Sequence, residues 1–192
     1  MKRLEGRVAT ITGGGSGLGK ATAIRFASEG ALVVIADMDE KSGQAVATEV
    51  NGTFIKCNVA DKASVDNMFA EVFKKFGKID IAFNNAGISP PDDDSILTTE
   101  IEAWDKVQLV NLTSVYLCCK AVLPYMLKAK KGSIINTASF VATLAAATSQ
   151  IAYTASKGGV LAMTRELGVQ FAREGVRVNA LSPGPVNTPL LQ

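Results

Sequence analysis

The sequence predicts an α/β protein built on a doubly wound parallel sheet with three layers. Short apolar runs alternate with longer helical segments along the chain, and most of these runs are apolar at every position. Strands that are buried on both faces of a parallel sheet have this continuous apolar pattern. The length of 192 residues suits one domain with a sizeable core, so a single domain is expected over residues 1–192.

The expected elements alternate along the whole chain, which favours right-handed crossover connections between parallel strands. The predicted strands are Val8–Ile11, Leu32–Ala36, Thr53–Cys57, Ile79–Phe83, Ser133–Thr137 and Val176–Leu181. The predicted helices are Leu18–Glu29, Glu40–Val50, Lys62–Phe76, Ile101–Lys128 and Ala152–Arg173. Asp39 and Asp61 are placed to cap helix amino ends. Left-handed caps are expected at five glycines that follow helices, namely Gly30, Gly52, Gly77, Gly132 and Gly175.

A glycine-rich turn joins the first strand to the first helix, from Thr12 to Gly19. Gly13, Gly17 and Gly19 have no Cβ, so the backbone can turn tightly and let a bulky anion approach its N–H groups. The positive end of the next helix dipole points at the same place, which suits a pyrophosphate. Asp37 follows the second strand, where a carboxylate can accept hydrogen bonds from an adenosine ribose.

Two other nucleotide-binding motifs are close to this turn but do not match it. The G-x-G-x-x-G fingerprint needs a third glycine where Lys20 stands. A P-loop has the spacing of Gly14 and Gly19, but Ala21 replaces the hydroxyl residue that would hold Mg²⁺. A plain glycine turn without a ligand stays open as the alternative at this point.

Composition excludes several classes of function. The net charge is +2 with both signs interspersed, so neither nucleic acid nor a membrane is expected as a partner. The chain has no histidine, which leaves tyrosine, lysine, serine and carboxylates for proton chemistry. Cys57, Cys118 and Cys119 show no disulfide or zinc spacing, and no metal site is expected. No signal peptide and no stretch long enough to span a bilayer is recognised, so a cytoplasmic location is expected.

Ligands of a doubly wound sheet bind beyond the carboxyl ends of its strands, which directs attention to the loops there. The pair Asn58–Val59 follows the third strand and could bracket an adenine ring. The segment Asn84–Gly87 follows the fourth strand, where an Asx turn is the structural alternative. The run Pro90–Asp94 is expected to be a solvated loop.

A tyrosine and a lysine four residues apart are the strongest candidates for chemistry. Tyr153 and Lys157 project from one face of a predicted helix. The Lys157 cation is expected to lower the pKa of Tyr153, which would let it shuttle a proton to an alcohol oxygen. Ser139 could hold the same oxygen, and Asn111 could bind a water that links Lys157 to solvent. Taken singly, these residues could instead be a surface pair, a helix cap and a satisfied core amide.

Together these segments resemble the short-chain dehydrogenase/reductase family. The turn Thr12–Gly19 matches T-G-x-x-x-G-x-G, Asn84–Gly87 matches N-N-A-G, and Pro183–Pro185 resembles the segment that contacts the nicotinamide carboxamide. The resemblance implies a Rossmann-like fold and reversible hydride transfer between a nicotinamide cofactor and an alcohol or carbonyl carbon. The catalytic residues that it implies are Asn111, Ser139, Tyr153 and Lys157. The cofactor-binding residues that it implies are Thr12, Gly13, Ser16, Gly17, Leu18, Gly19, Asp37, Asn58, Val59, Asn85, Ala86, Gly87, Tyr153, Lys157, Pro183, Gly184, Val186 and Thr188.

NAD(H) is the expected cofactor, and NADP is disfavoured. Asp37, Asp39 and Glu40 would repel a 2′-phosphate, and Ser16 and Met38 stand where a phosphate-binding form would have arginine or lysine. At Asn58 the family usually has an aspartate, and the amide that stands there can both donate and accept a hydrogen bond at the adenine site.

The segment Phe140–Gln150 is mostly small and apolar, which favours an uncharged secondary alcohol or ketone as the small-molecule substrate. An acyl thioester, a sterol-like ketone and a polyol all stay open. The alternative function is a cofactor-binding module for redox sensing or interaction, without turnover.

Family members commonly pair their two long helices, here Ile101–Lys128 and Ala152–Arg173, across a two-fold axis. A homodimer or homotetramer is therefore expected. Gly158 and Gly159 each cost about 1 kcal/mol of helix propensity, which suggests that another surface approaches closely. The apolar residues expected on more than one face of these helices are Val115, Leu117, Val122, Leu161 and Leu167.

The chain ends at Gln192, whereas family members usually continue through substrate-covering helices and a final strand. The fold is therefore expected to lack the lid and the last strand of the family. With the cleft open on one side, weak turnover and a tendency to aggregate are expected.

Overall fold

The computed structural model describes residues 2–188, which form one six-stranded sheet in which every neighbouring pair of strands is parallel. The order β3-β2-β1-β4-β5-β6 confirms the doubly wound topology. The last residues of the expected domain, 189–192, lie outside the described residues. The strands are β1 (Val8–Thr12), β2 (Leu32–Asp37), β3 (Thr53–Lys56), β4 (Ile81–Asn84), β5 (Gly132–Thr137) and β6 (Val176–Leu181).

The helices match the predicted ones, with one difference. They are α1 (Gly17–Ser28), α2 (Glu40–Glu49), α3 (Lys62–Phe76), α4 (Ile101–Gln108), α5 (Ser114–Lys128) and α6 (Ile151–Phe171). Short 3₁₀ turns cover Phe140–Ala142 and Ala172–Glu174. Between α4 and α5 the chain forms a π-helical turn, Leu109–Thr113, which interrupts the long helix predicted there.

Helix α2 begins after Asp39, whose side chain accepts hydrogen bonds from the N–H groups of Lys41 and Ser42. Asp61 caps α3 in the same way, so both predicted amino-end caps are confirmed. Three of the five glycine caps are confirmed, because φ is positive at Gly30, Gly77 and Gly175.

The expected caps at Gly52 and Gly132 are wrong. The left-handed residues after these helices are Asn51, with φ at 50°, and Lys130, with φ at 51°. The two glycines serve packing instead, since a Cβ on Gly52 would lie 2.6 Å from the Val33 carbonyl oxygen. At Gly132 the same atom would lie 2.3 Å from the sulfur of Met126.

The sheet is the middle of three layers. On one face Phe69 of α3, Met126 of α5 and Val160 of α6 are buried in the larger apolar cluster. On the other face Ala23 of α1 and Val46 of α2 are buried in the smaller one. Each large side chain that is buried in this way contributes roughly 1.5–3 kcal/mol to folding. The layers hold the carboxyl ends of the strands, where the candidate site lies, at one edge of a fixed frame.

The expectation that no stretch is long enough to span a bilayer is wrong. By length and composition alone, the helical stretch Ile101–Lys128 could cross a membrane. Its apolar side chains have another use here, because Val115, Cys118, Val122 and Met126 are buried in the core. The stretch packs against the sheet as a core helix.

Candidate active site

The glycine-rich turn and the loop after β4 meet at the point where the strand order reverses direction, between β1 and β4. Gly13 has φ at +62°, and a Cβ there would lie 2.8 Å from the Cα of Ala86. A Cβ on Gly19 would lie 2.1 Å from the carbonyl oxygen of Gly13. The two loops therefore touch backbone to backbone, which only glycine permits at these positions. This switch point is where doubly wound sheets bind their ligands.

Thr12 and Asn85 hold these two loops together. The Thr12 hydroxyl oxygen accepts hydrogen bonds from the backbone N–H groups of Asn85 (3.0 Å) and Ala86 (3.2 Å). In return, Nδ2 of Asn85 donates to the carbonyl oxygens of Thr12 (3.2 Å) and Gly13 (3.3 Å). The Thr137 hydroxyl donates to Oδ1 of Asn85 at 3.4 Å. Both residues thus fix the shape of the loop that was expected to bind the cofactor.

Asn84 supports the site through a buried hydrogen bond. Its side chain is buried, and Nδ2 donates to Oδ1 of Asn136 on β5 at 2.9 Å. Asn136 in turn donates to the Thr164 hydroxyl on α6 at 2.9 Å. A chain of buried polar groups therefore ties β4 to β5 and to the helix that carries the tyrosine.

Asp37 stands at the end of β2, next to the glycine-rich turn. Its Oδ2 accepts a hydrogen bond from the N–H of Gly15 at 2.8 Å, and its Oδ1 accepts one from the N–H of Asp39 at 3.0 Å. Ser16 precedes α1 and is exposed, and its side chain makes no capping hydrogen bond to the helix. Leu18, in the first turn, is half-buried. A carboxylate and an amino end of a helix that Ser16 does not cap lie side by side, which fits a ribose and a phosphate.

The adenine end of the expected site is less regular. Asn58 is exposed, and its Oδ1 accepts a hydrogen bond from the N–H of Ala60 at 3.1 Å, so part of this amide serves its own turn. Val59 is 9% exposed and packs in the larger apolar cluster. The structure thus uses Val59 in the core, where it supports the end of β3.

At the other end, the loop after β6 lies beside the loop after β5. The carbonyl oxygen of Pro183 accepts a hydrogen bond from the N–H of Phe140 at 3.0 Å. Gly184 and Val186 are exposed, and Thr188 is half-buried. The predicted nicotinamide segment is therefore next to Ser139.

Ser139, Tyr153 and Lys157 come together at this edge. The Nζ of Lys157 lies 5.5 Å from the centre of the Tyr153 ring and donates to the carbonyl oxygen of Thr137 at 2.8 Å. Ser139 is buried, accepts a hydrogen bond from the N–H of Val141 at 3.4 Å, and interacts with the Tyr153 side chain. The three side chains lie together at this edge, and their catalytic roles stay a prediction.

The pKa shifts in this cluster have burial as their main cause. Burial lowers the pKa of Lys157 from 10.5 to about 8. Burial also raises the pKa of Tyr153, and the hydrogen bond with Ser139 acts against that rise. The lowered pKa of Tyr153 that the sequence led us to expect is therefore not found in the protein alone, because loss of hydration disfavours the phenolate more than Ser139 stabilises it.

Asn111 is fully buried within the π-helical turn. Its Oδ1 accepts a hydrogen bond from the N–H of Ile88, and its Nδ2 donates to the carbonyl oxygen of Ile88, both at 2.8 Å. A Cβ on Gly87 would lie 3.2 Å from Oδ1 of Asn111 and 3.5 Å from Nζ of Lys157. The side chain thus holds the loop after β4, and the water that Asn111 was expected to bind stays a prediction. The π-helical turn itself was not predicted, although such turns are frequent at functional sites.

Asp93 is a residue that the sequence analysis missed. It was expected in a solvated loop, yet it is 5% exposed, whereas its neighbours Asp92 and Asp94 are exposed. Its Oδ1 accepts from the N–H of Ala152 at 2.8 Å and its Oδ2 from the N–H of Tyr153 at 2.7 Å. The only sequence signal for this contact is the lack of a capping side chain directly before α6.

Comparison with known proteins shows which family the chain belongs to. The family model described as enoyl-(acyl carrier protein) reductase matches residues 13–192. Secoisolariciresinol dehydrogenase of Forsythia intermedia is 42% identical over 192 residues, covering 98% of this chain and 69% of that enzyme. The 3-oxoacyl-acyl-carrier-protein reductase of Thermotoga maritima is 38% identical, covering 99% of this chain and 78% of that enzyme.

Solved structures give the same result. The 3-ketoacyl-acyl-carrier-protein reductase of Brucella melitensis, complexed with NADH, has a TM-score of 0.94 and 36% identity, over 98% of this chain and 79% of that one. Levodione reductase has a TM-score of 0.92 and 36% identity, over 98% and 75% of the two chains. The chain belongs to the short-chain dehydrogenase/reductase family of oxidoreductases.

Proposed function

We propose that the protein transfers a hydride between NAD(H) and a secondary alcohol or ketone, with Tyr153 as the general acid and base. The observation that carries this proposal is the cluster of Ser139, Tyr153 and Lys157 beside the loop Asn84–Gly87, which meets the glycine-rich turn. The relatives support the reaction class, since they include a dehydrogenase of secoisolariciresinol and a reductase of levodione.

The residues that would hold the cofactor have chemical groups that suit its parts. The amino end of α1, which the Ser16 side chain does not cap, suits the pyrophosphate, and the Asp37 carboxylate suits the adenosine ribose. The segment Asn85–Gly87 approaches Lys157 through Gly87, and the loop Pro183–Thr188 is next to Ser139 through the bond between Pro183 and Phe140. When bound, the nicotinamide would supply or accept the hydride.

The chain's own residues would manage the proton. In the direction of ketone reduction, the Tyr153 hydroxyl gives its proton to the substrate oxygen, and in alcohol oxidation it takes that proton back. Ser139 holds the same oxygen by a hydrogen bond. The Lys157 cation close to the ring favours the phenolate during the transfer, since an opposite charge within a few ångströms stabilises the ionised form.

NAD is proposed over NADP because of Asp37. Its carboxylate can accept hydrogen bonds from ribose hydroxyls, while its charge repels a 2′-phosphate. Asp39 and Glu40 follow on the same side at the start of α2 and add to the negative charge. The neighbour that is complexed with NADH is consistent with this preference.

We also propose association through the outer faces of α5 and α6. Tyr116 of α5 and Val169 of α6 are large apolar residues that are exposed there, and Val169 is 80% exposed. Leu109, in the π-helical turn before α5, is also exposed. Two residues expected at this contact, Val115 and Val122, are core residues instead.

Of the glycines that suggested this contact, Gly159 has an explanation within the chain. A Cβ there would lie 2.8 Å from a side-chain carbon of Leu112. A Cβ on Gly158 would meet nothing within 4 Å, which leaves that position open to a partner. A homodimer or homotetramer is therefore proposed from exposed side chains and from Gly158.

Turnover with NADH on a panel of uncharged ketones, and with NAD⁺ on the matching secondary alcohols, tests the function. Saturable NADH binding without turnover on any of them would contradict it and would favour the non-catalytic module. A cytoplasmic location stays a prediction, which microscopy of a tagged chain can test.

A further inference from the structure

We propose that Asp93 is a positioning residue for Tyr153, fixing the first turn of α6 and with it the direction of the phenol. The contacts of Asp93 are independent of any assigned activity, while its effect on catalysis rests on the proposed function. Asp93 does not touch the reacting atoms and acts through the backbone of the helix.

The contacts are specific to this turn. Both carboxylate oxygens of Asp93 are used, one by the N–H of Ala152 at 2.8 Å and one by the N–H of Tyr153 at 2.7 Å. The next carbonyl oxygen along the loop, that of Asp94, accepts from the N–H of Ile151 at 3.1 Å. Three consecutive N–H groups at the start of α6 thus bind to two neighbouring residues of one loop.

The amino end of α6 needs such a partner. The first N–H groups of a helix have no acceptor within the helix, and Gln150, directly before α6, provides no side-chain cap. A carboxylate is the strongest available acceptor here, since charge-assisted hydrogen bonds and the helix dipole both favour it. No ion pair among residues 2–188 involves Asp93, so its buried charge is stabilised by these N–H groups.

The segment that contains Asp93 connects the expected cofactor loop to the start of α6. The segment Asn85–Asp94 begins at the loop held by Thr12, passes Ile88, which Asn111 holds through two hydrogen bonds, and ends at the start of α6. Ten residues therefore link the expected cofactor loop to the catalytic helix. Because the Tyr153 N–H is itself one of the bound groups, loss of Asp93 frees the backbone of the residue that carries the phenol.

The test compares Asp93→Ala with the wild type and with Asp92→Ala, a matched control from the exposed neighbour. We expect kcat per NADH-binding site to fall about tenfold or more in Asp93→Ala, because small displacements of a reacting group cost large factors. The dissociation constant of NADH should stay within about twofold of the wild type, since the glycine-rich turn and Asp37 are untouched. The kcat per site of Asp93→Asn, which keeps one acceptor oxygen, should lie between those of the wild type and Asp93→Ala. Counting sites by NADH titration removes any effect of misfolded protein.

A second readout does not depend on turnover. Tyrosine labelled with ¹³C at Cζ gives three signals, and Tyr153→Phe identifies the one from Tyr153. In Asp93→Ala this signal should shift or broaden while those of Tyr116 and Tyr125 stay in place, and amide hydrogen exchange of residues 151–157 should accelerate.

Each outcome decides one of the two proposals. An unchanged Tyr153 signal with unchanged exchange would overturn the positioning role, as would a wild-type kcat per site in a variant whose signal has moved. A wild type without turnover would overturn the proposed function alone, and the Tyr153 signal would then decide the positioning of its side chain.

Discussion

The Nζ of Lys157 lies 5.5 Å from the centre of the Tyr153 ring, and it donates a hydrogen bond to the main chain of Thr137. The lysine therefore acts on the tyrosine by its charge across a short gap. Burial lowers the pKa of Lys157 and raises the pKa of Tyr153, so each shift favours the neutral form of its group. In the proposed reaction, the Lys157 charge and an oxidised nicotinamide would have to offset the burial of Tyr153.

Replacing Tyr153 with phenylalanine should remove most turnover and leave NADH binding intact. The ring keeps its packing, and only the proton donor is lost, for which a loss of about 10²–10⁴ in kcat is expected. Steady-state kinetics and NADH fluorescence titration measure the two quantities. Tyr125→Phe, which removes a hydroxyl from the contact with Phe73, is the matched control. A Tyr153→Phe variant that keeps its rate would rule out the general-acid role.

Lys157 should make stability depend on alkaline pH. Its pKa is lowered from 10.5 to about 8, so between these values the unfolded chain binds more protons than the folded one, and the free energy of unfolding rises with pH. The free energy of unfolding is about 3 kcal/mol lower below pH 8 than above pH 10.5, because the folded protein must then keep a charged Lys157 buried.

Urea unfolding at about pH 7 and about pH 10 measures this effect as a change in unfolding free energy. Lys157→Met should show a smaller rise between the two pH values than the wild type. Lys128→Met, at the end of α5, is the control for loss of an exposed lysine. Equal slopes in wild type and Lys157→Met would mean that Lys157 is not the responsible group.

Asp37→Asn should weaken NAD binding by about tenfold and relax the rejection of NADP. A hydrogen bond to an ionised group is worth about 1.5–3 kcal/mol, and the repulsion of a 2′-phosphate disappears with the charge. Dissociation constants for both cofactors, measured in parallel, give the ratio. Asp66→Asn on α3 is a control for loss of one surface carboxylate. A wild type that already prefers NADP would refute the charge argument.

Val169→Asp should weaken association of the chain. Val169 is the most exposed large apolar residue of α6, and a carboxylate buried at a contact between copies would be costly. Sedimentation velocity should show a dimer or tetramer for the wild type and a smaller species for the variant. Ile24→Asp on α1 introduces the same charge away from that face and should leave the assembly unchanged. A wild type that sediments as a monomer at high concentration would argue against the proposed contact.

The layers of the fold could be predicted because their signals are local. An apolar run such as Val33–Ala36 marks a buried strand by itself, and an aspartate such as Asp61 marks the start of a helix from the residues next to it. The glycine caps show the limit of this reasoning. Gly52 follows a helix as a cap would, but its role is decided by the distant carbonyl of Val33.

The site was predictable to the extent that its residues carry chemistry in their type. A tyrosine and a lysine four residues apart are visible in the sequence, and so is the glycine-rich turn. Asp93 was hidden because its partners, Ala152 and Tyr153, lie 59 and 60 positions later, and a run of three aspartates is usually solvated. The direction of the Tyr153 pKa was missed for a similar reason, since burial depends on the packed structure.

The π-helical turn between α4 and α5 keeps a stripe of buried residues on one side of the helix. Buried positions recur every four residues from Ala103 through Val107 and Asn111 to Val115. In a regular α-helix each such step overshoots a full turn by about 40°, so three steps would carry the stripe about 120° around the axis. A wider turn advances less per residue and keeps the stripe on the buried side of the helix. Deleting one residue from Leu109–Thr113 would therefore rotate α4 and α5 out of register by about 100°, and either the core or the Asn111 contact would be lost.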